Sequence, residues 1–259
     1  MTAPAVTVAV ATYNRADRAV DTCRRLTHQT FADFEVVVVD DGSPDGPAAR
    51  VRALDLPRVR VVSRPNGGIS AARNTGAAEA SGALLVFLDD DDRPEPRWIE
   101  CLHGAAVTTG AAFVSCAATT VTPDGAVVGL RRPAPMGRLF GDARALVLAG
   151  TFAVRRDLFV AVGGYTEGLQ CSHQTDLALR LLPERRRRGP PTAAIHEPLI
   201  PLARRAAGDR PGASPGKLLS GTEMLLDLPA GALAHAPEAR ANFHAIAGVA
   251  AARLGQAGR

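Results

Sequence analysis

Four consecutive carboxylates, Asp89–Asp92, form the densest group of reactive side chains in the sequence, directly after the apolar run Leu84–Leu88. Adjacent carboxylates repel one another, and a strand end has no structural need for them. A hard divalent cation such as Mn²⁺ or Mg²⁺ removes the repulsion, because it binds one or two carboxylates and keeps coordination sites for phosphate oxygens. We therefore predict a metal site at Asp89 and Asp91, which alternate to one side of an extended chain. A solvated charge run is the structural alternative, and Asp92 is a candidate helix N-cap ahead of Pro94.

A second acidic motif, Asp40-Asp41-Gly42-Ser43, follows the apolar run Val36–Val39. In open parallel sheets, ligands collect beyond the carboxyl ends of the strands, where a carboxylate can accept from a nucleobase N–H or a ribose hydroxyl. The same residues are also ordinary turn chemistry before a helix. Both interpretations stay open on this motif alone.

A glycine-rich segment, Asn66–Asn74, is the third candidate motif and leads into a predicted helix. Backbone amides at such a helix start can meet an anion, and the guanidinium of Arg73 can bind a phosphate through two hydrogen bonds. The structural alternative is an ordinary loop with Ser70 as the N-cap.

The elements that must position these motifs alternate between strand and helix with short connections, which predicts a parallel sheet with crossover helices. The strand candidates are β-branched and nearly continuous, as buried parallel strands are. The predicted strands are Val6–Ala11, Val36–Val39, Val59–Val62 and Leu84–Leu88. The predicted helices are Asp17–Thr27, Asp45–Leu54, Ile69–Ala80 and Pro96–Val107.

The second half of the chain is less regular. A strand pair, Ala112–Thr120 and Ala126–Leu130, is predicted across the turn at Pro123–Gly125, and a strand at Thr151–Val154 precedes a helix at Arg156–Val162. Candidate mobile loops are Arg131–Gly150 and Ala203–Gly216, and two final helices are predicted at Lys217–Leu228 and Pro237–Leu254. We expect one domain in two halves, at 1–110 and 111–210, and a helical appendage at 211–259.

Composition limits the function classes. The 259 residues are 46% hydrophobic, so a folded core is expected rather than disorder. The net charge of +4 divides into −3 for residues 1–100 and +7 for 101–259, and aromatic residues make up 4%. This pattern argues against a nucleic-acid-binding protein. With no apolar run near the length of a membrane span and with four widely spaced cysteines, we expect free thiols and a cytoplasmic protein without a transmembrane segment.

Taken together, the motifs resemble a family 2 inverting glycosyltransferase of the GT-A fold over roughly residues 5–205. The residues that carry the resemblance are Thr12-Tyr13-Asn14, Asp40–Ser43, Asn66–Asn74, Phe87–Asp92, Gly163-Gly164-Tyr165 and Thr175–Leu181. The resemblance implies a Rossmann-like α/β fold with a mainly parallel sheet and flanking helices, followed by the C-terminal helical appendage. It makes residues 1–110 the nucleotide-sugar-binding half and residues 111–210 the acceptor-side half of the same domain.

The resemblance also implies roles for individual residues. Tyr13 packs on the nucleobase, Asp41 accepts from its N–H, and Arg73 lies near the diphosphate. Asp89 and Asp91 form the DXD metal site, with Asp91 as the more direct ligand. The other expected substrate contacts are Thr12, Asn14, Asn66, Gly67 and Asp90, with Arg204 and Arg205 closing over the bound diphosphate.

The sequence departs from the family at the expected general base. Where the family helix opens with Glu-Asp, this chain has His173 and Gln174, and a neutral amide cannot act as a base. Three alternatives follow. His173 can take the role, since its ordinary pKa suits proton transfer at neutral pH; Asp176 can take it, although pairing with Arg180 at i+4 is its expected structural role; or the base lies elsewhere or is not needed.

The expected function is therefore a metal-dependent glycosyltransferase, using a UDP- or dTDP-sugar and a small-molecule or glycan acceptor, with inversion. The alternative is a nucleotide-sugar-binding regulator or scaffold with impaired catalysis, because Gln174 replaces the base. A sugar nucleotidyltransferase is rejected, since Thr12–Arg15 lacks the glycines of an early phosphate loop. The C-terminal helices are candidates for homodimer contacts, and the basic run Arg185–Arg188 is predicted to be a solvated helix end.

Overall fold

The computed structural model describes residues 3–136, 140–169, 171–203, 214–227 and 237–255. The strands are β1 (Val6–Thr12), β2 (Phe34–Asp40), β3 (Val59–Ser63), β4 (Leu84–Asp89), β5 (Phe113–Val121), β6 (Val127–Arg131), β7 (Ala134–Pro135), β8 (Arg144–Ala145), β9 (Phe152–Arg155) and β10 (Thr192–Ala203). The helices are α1 (Ala16–Leu26), α2 (Pro47–Arg52), α3 (Gly68–Ala78), α4 (Trp98–Thr109), α5 (Arg156–Ala161), α6 (His173–Arg188), α7 (Pro215–Asp227) and α8 (Pro237–Arg253).

The central sheet has the strand order β10-β5-β9-β4-β1-β2-β3, and β6 pairs with the outer part of β5. Strands β1 to β4 are parallel, β10 is parallel to β5, and β9 runs antiparallel to both β4 and β5. The mainly parallel α/β sheet expected from the sequence is therefore confirmed.

Helices cover both faces of the sheet, which explains why its strands read as continuous apolar runs rather than alternating ones. On one face, α1 and α4 bury Cys23, Leu26, Trp98 and Leu102 against β1, β2 and β4. On the other face, α3, α5 and α6 pack against Leu85 and Phe87 of β4 and Phe152 of β9, among other side chains.

The sheet positions the acidic motifs through its strand ends. Thr12 of β1 is in register with Asp40 of β2, and Ala11 is in register with Asp89 of β4. Because parallel strands end at the same edge, the motifs that follow β1, β2 and β4 meet there, as the sequence predicted.

The second half contains elements that the pattern did not reveal. Strand β10 was not predicted, and its pairing with β5 shifts register on both sides of Pro198. Proline cannot donate to a strand ladder, so this interruption hides the strand from a pattern search. The predicted loop Arg131–Gly150 contains the short antiparallel pair β7 and β8.

Helices α7 and α8 pack against each other and form the predicted C-terminal appendage. Helix α7 also lies against the segment before α6, because a Cβ added at Gly221 would lie 2.5 Å from the Sγ atom of Cys171. The sheet itself is continuous across the predicted boundary at residue 110, so the division into two halves stays a prediction.

Candidate active site

The Asp89–Asp91 segment lies at the carboxyl end of β4, and each of its carboxylates contacts an arginine. Asp89 Oδ1 accepts from the guanidinium of Arg73 at 2.6 Å. Asp90 Oδ1 accepts from Arg15 at 3.0 Å, and Asp91 Oδ2 accepts from Arg18 at 3.1 Å. The guanidinium of Arg15 also lies 3.9 Å from Asp91.

These ion pairs correct one premise of the sequence interpretation. The repulsion among the carboxylates was expected to require a metal ion, but Arg15, Arg18 and Arg73 already offset it. Sequence reasoning missed Arg15 and Arg18, although a signal exists. Basic residues at a helix N-terminus oppose the helix dipole, so their presence there indicates a nearby anionic group.

Asp90 is the most buried of the three carboxylates. It is 5% exposed, and its second oxygen accepts from the hydroxyl of Thr12 at 2.8 Å. Burial raises the pKa of Asp90, although Thr12 and Arg15 act in the opposite direction. Thr12 therefore joins β1 to the acidic segment through a buried hydrogen bond.

Two capping predictions are wrong. Asp92 is not the N-cap of α4, because that helix begins after Arg97; the Asp92 amide instead donates to the Asp89 carbonyl oxygen at 3.2 Å. Ser70 is not the N-cap of α3, because it lies inside a helix whose N-cap is Gly67. Both errors arise because proline or glycine near a motif displaces the helix start by several residues.

The carboxylate of Asp41 accepts hydrogen bonds from the backbone at the start of α3. Its carboxylate accepts from the amides of Gly67 at 3.0 Å and Gly68 at 2.8 Å, and from Arg64 at 3.1 Å. The side-chain amide of Asn66 donates to the Asp41 carbonyl oxygen at 2.9 Å. The structure thus brings Asp41, Asn66 and Gly67 together, and their predicted contacts with the substrate stay predictions. Oδ1 accepts two of these hydrogen bonds and Oδ2 accepts one, so Oδ2 keeps one further acceptor site.

The turn after β1 presents an aromatic side chain beside this region. Tyr13 is 51% exposed, which leaves its ring available for stacking. Asn14 has a positive φ of 53°, and its amide donates to the Ser43 hydroxyl at 3.0 Å. Asparagine tolerates this left-handed backbone better than most residues, so the β1 and β2 motifs are fixed to one another. The predicted nucleobase role of Tyr13 stays a prediction.

Arg73 and Asn74 connect the glycine-rich segment to the second half of the chain. The guanidinium of Arg73 lies 5.3 Å from the ring centroid of Tyr165 and is 4% exposed. Burial lowers the pKa of Arg73, but Asp89 and its neighbours raise it overall. Asn74 exchanges hydrogen bonds with the backbone of Tyr165. No role was predicted for Asn74 or Tyr165, although both lie in the motifs singled out from the sequence.

The start of α6 has a neutral character. The His173 ring nitrogen Nε2 lies 2.8 Å from the carbonyl oxygen of Leu169. A carbonyl oxygen only accepts, so Nε2 carries the hydrogen, and Nδ1 of the neutral ring holds the free lone pair. Burial lowers the pKa of His173, which favours that neutral form. Gln174 is half-buried beside it.

Asp176 forms the expected ion pair with Arg180. Both of its oxygens accept from that guanidinium, one of them from Nε at 3.3 Å, and Asp176 is 1% exposed. A carboxylate held in this way is poorly placed to take a proton from a substrate. The solvated helix end predicted for Arg185–Arg188 is wrong at Arg185, which is 3% exposed and donates to the Pro190 carbonyl oxygen.

The acidic segment fits a cation that arrives with phosphate. In the described part of the chain, no set of three or more His, Cys, Asp or Glu side chains converges as a protein-only metal site would. Mn²⁺ or Mg²⁺ held by one or two carboxylates together with phosphate oxygens needs no such set. Asp89 and Asp91 supply hard oxygen ligands, and the Asp89 side chain is 33% exposed. Arg204 and Arg205 lie outside the described residues.

Two further observations concern the whole chain. All four cysteines are free thiols, as expected. Among the described residues, no helix combines the length and the apolar character that crossing a bilayer requires.

Comparison with known proteins gives a consistent result. A family model described as glycosyl transferase family 2 matches residues 7–161, more than half of the chain. Chondroitin synthase of Pasteurella multocida (strain Pm70) is 36% identical over 131 residues, which are 48% of this chain and 13% of that protein. This chain therefore spans a small part of that relative.

Solved structures show the same fold. S. aureus TarS 1-349 in complex with UDP-GlcNAc matches with a TM-score of 0.68 and 19% identity, over 96% of this chain and 71% of the other. The mannosyltransferase PcManGT from Pyrobaculum calidifontis, in complex with GDP-Man and Mn2+, matches with a TM-score of 0.62 and 20% identity, over 100% and 77%. These matches confirm the GT-A fold expected from the sequence.

Proposed function

The chain belongs to glycosyltransferase family 2, and from that premise we propose that it transfers a sugar from a nucleotide-diphosphate donor to an acceptor hydroxyl with the help of Mn²⁺ or Mg²⁺. The observation that carries the proposal is the convergence of Asp89, Asp91 and Arg73 at the carboxyl end of β4, beside Asp41 at the end of β2. A carboxylate pair and a buried guanidinium at one sheet edge suit a diphosphate with its cation.

Asp89 and Asp91 are the proposed cation ligands, and the bound cation would supply charge stabilisation for the leaving diphosphate. Arg73 would donate to a diphosphate oxygen, since its guanidinium has donors beyond the one that meets Asp89. Asp41 would accept from the nucleobase, with Tyr13 stacked on the ring. Thr12, Asn14, Asn66, Gly67 and Asp90 hold these groups in place through the contacts described above.

We propose a pyrimidine donor, with UDP favoured over dTDP. A carboxylate acceptor at Asp41 complements the N3–H of uracil or thymine, whereas cytosine has an acceptor at that position. The TarS structure contains UDP-GlcNAc and supports this choice by its fold alone. The PcManGT structure contains GDP-Man and Mn2+, so it supports the metal more than the base.

His173 is the proposed general base. Inversion by a single displacement requires the acceptor hydroxyl to lose its proton as it attacks, and a neutral imidazole is suited to take it. The proton would go to Nδ1, because Nε2 donates to Leu169. Asp176 is the weaker candidate, because Arg180 occupies both of its oxygens.

The second candidate function is a nucleotide-sugar-binding regulator or scaffold. The observation in its favour is the neutral pair His173 and Gln174, which leaves the start of α6 without a free carboxylate among the described residues. Such a protein would bind the donor through Asp41, Asp89 and Asp91 but would not turn it over.

Release of nucleoside diphosphate by the purified full chain separates the two functions. The assay combines Mn²⁺, a panel of UDP-, dTDP- and GDP-sugars and a broad set of sugar acceptors. We expect release from a UDP-sugar that depends on Mn²⁺ and falls to background in Asp91→Asn. The matched control is Asp21→Asn, which removes an exposed carboxylate paired with Arg25. Nucleotide binding without release across the panel supports the scaffold, and absence of binding contradicts both functions.

The compartment and the oligomeric state are also proposals. The four free thiols suit a reducing cytoplasm. Helix α8 exposes Ile246 and Val249, and Leu254 is exposed directly after it; these side chains are suitable contacts for a homodimer through the C-terminal helices. The acceptor is proposed to be a small molecule or a glycan.

A further inference from the structure

Tyr165 lies beneath the proposed donor site without being one of its predicted residues. Tyr165 is 1% exposed, and its ring packs edge to face with the rings of Phe87 and Phe159. The ring centroids are 5.1 Å and 5.7 Å from that of Tyr165. The guanidinium of Arg73 lies over the same ring, 5.3 Å from its centroid. Tyr165 therefore joins the apolar core to a buried cation.

The ring contact differs in kind from the other contact of Arg73. Asp89 holds the guanidinium through a hydrogen bond of 2.6 Å, but Asp89 is also a proposed cation ligand. When Asp89 shares its charge with a cation, its attraction for Arg73 weakens. A guanidinium over an aromatic face keeps its attraction in that state, because the ring carries no competing ligand role. Tyr165 can thus hold Arg73 at the diphosphate position in the loaded site.

Tyr165 is itself fixed by the helix that carries Arg73. The Tyr165 amide donates to Asn74 Oδ1 at 2.8 Å, and Asn74 Nδ2 donates to the Tyr165 carbonyl oxygen at 2.9 Å. Gly164 makes this approach possible, since its φ is +68° and a Cβ there would lie 2.6 Å from Asn74 Oδ1. Two consecutive residues of α3 therefore contact Tyr165: Arg73 packs on its ring, and Asn74 hydrogen-bonds to its backbone.

A second clamp comes from α6, the helix that begins at His173. Arg180 donates through one terminal nitrogen to the carbonyl oxygens of Val162 and Gly164, both at 2.6 Å. Its other nitrogens pair with Asp176, also on α6. The corner at residues 162–165 is thus held from both the donor side and the acceptor side.

We propose that Tyr165 is a positioning residue that keeps Arg73 aligned with Asp89, and that the 162–165 corner fixes α6 relative to the donor site. This inference rests on the proposed function, since it assigns the alignment to donor binding. Tyr165 touches no reacting atom; it acts through Arg73.

Two substitutions at Tyr165 separate the ring from the hydroxyl. Tyr165→Leu removes the aromatic face, and we expect it to raise the KM for the donor about tenfold, with a smaller change in kcat. Tyr165→Phe keeps the aromatic ring and should retain the parental KM for the donor. The matched control is Phe159→Leu, which removes a neighbouring ring of the same cluster that packs against Phe87 and Tyr165. It should lower the urea midpoint as much as Tyr165→Leu does but leave the KM for the donor unchanged.

A second measurement needs no activity. If Tyr165 and Asp89 act on the same guanidinium, the urea midpoints of Tyr165→Leu, Asp89→Asn and the double variant will not be additive. Parental protein without turnover would contradict the proposed function, and the additivity test would still decide the positioning role. Additive midpoints, or equal effects of Tyr165→Leu and Phe159→Leu on the KM for the donor, would overturn the inference.

Discussion

The proposed donor edge, which is the Asp89–Asp91 segment with its arginines, contains many paired charges, whereas the first two residues of α6 carry none when His173 is neutral. At the donor edge, Asp89, Asp90 and Asp91 are adjacent, and they pair with Arg15 just before α1, Arg18 of α1 and Arg73 of α3. At the start of α6, His173 and Gln174 are uncharged when the imidazole is neutral. The first region has charges that a ligand can rearrange, and the second has a lone pair that a substrate can use.

This difference indicates that ligand binding should change the ion pairs of the donor edge but not those of α6. At the donor edge, Arg73 and Arg18 must share Asp89 and Asp91 with any arriving cation, so donor binding should reorganise these pairs. At α6, Asp176 is closed off by Arg180 and buried. We expect the donor side to be sensitive to charge and the acceptor side to be sensitive to the protonation of one histidine.

The strongest test of the comparison is loss of a donor-side charge. Asp89→Asn should lower metal-dependent donor turnover by about 100- to 1,000-fold, as removal of a charge-stabilising group at a reaction centre commonly does. It also deprives the buried guanidinium of Arg73 of its carboxylate. The measurement is kcat/KM for the donor at saturating Mn²⁺. Asp17→Asn, an exposed carboxylate on α1, should keep parental turnover; equal losses in both variants would refute a special donor edge.

On the acceptor side, the first prediction concerns stability. Asp176→Asn breaks a buried ion pair and should lower the free energy of unfolding by about 3 kcal/mol, since Arg180 then remains without its charged partner. Urea unfolding measures the loss. Glu184→Gln, which affects the solvent-exposed pairs with Arg187 and Arg188 on the same helix, should lower the free energy of unfolding much less than Asp176→Asn does.

The same variant examines the role of Asp176 in chemistry. Turnover per folded molecule of Asp176→Asn should keep the parental dependence on pH. A profile that loses its acidic limb in this variant would assign the base to Asp176 and remove the distinction between the two regions.

The next test changes the proposed base. His173→Ala should lower kcat for transfer by about 100-fold, the lower range for general base catalysis, and leave the KM for the donor unchanged. Burial lowers the pKa of His173 below its ordinary 6.5, so the neutral imidazole is the major form at that pH. Parental transfer should therefore fall to half of its plateau only at a pH below 6.5. His28→Ala, an exposed histidine after α1, is the control; parental turnover in His173→Ala would exclude His173 as the base.

The sequence predicted the positions of the strand-end motifs better than the contacts among their side chains, for a physical reason. Strands β1, β2 and β4 are buried on both faces, so their apolar runs and the motifs at their ends are visible as contiguous segments. The pairing of Arg73 with Asp89 and of Asn74 with Tyr165 depends on contacts between distant residues, which no local pattern contains.

Particular failures follow the same division. Asp92 looked like a helix cap because Pro94 follows it, but the helix begins after Arg97, and the segment between them contacts β10 through the Glu95 amide. Strand β10 was missed because its prolines interrupt the ladder. Tertiary contacts override the local signal at both positions.

The smallest expected effect tests whether arginine and metal compete at the donor edge. Arg18→Gln removes a half-exposed guanidinium that meets Asp91 at 3.1 Å, with 54% of the Arg18 side chain exposed. Repulsion between the Arg18 guanidinium and a cation bound a few ångströms away in a well-solvated site weakens Mn²⁺ binding by about 1 kcal/mol. The variant lacks this repulsion and should therefore bind Mn²⁺ about fivefold more tightly. Titration with Mn²⁺ in the presence of UDP measures the change. Arg25→Gln removes another partly exposed arginine of α1, which pairs with Asp21, and it should leave the affinity unchanged. Tighter binding in Arg18→Gln alone would show that Asp91 is shared between α1 and the cation, whereas equal affinities would mean that the carboxylates at the donor edge are committed to their arginines.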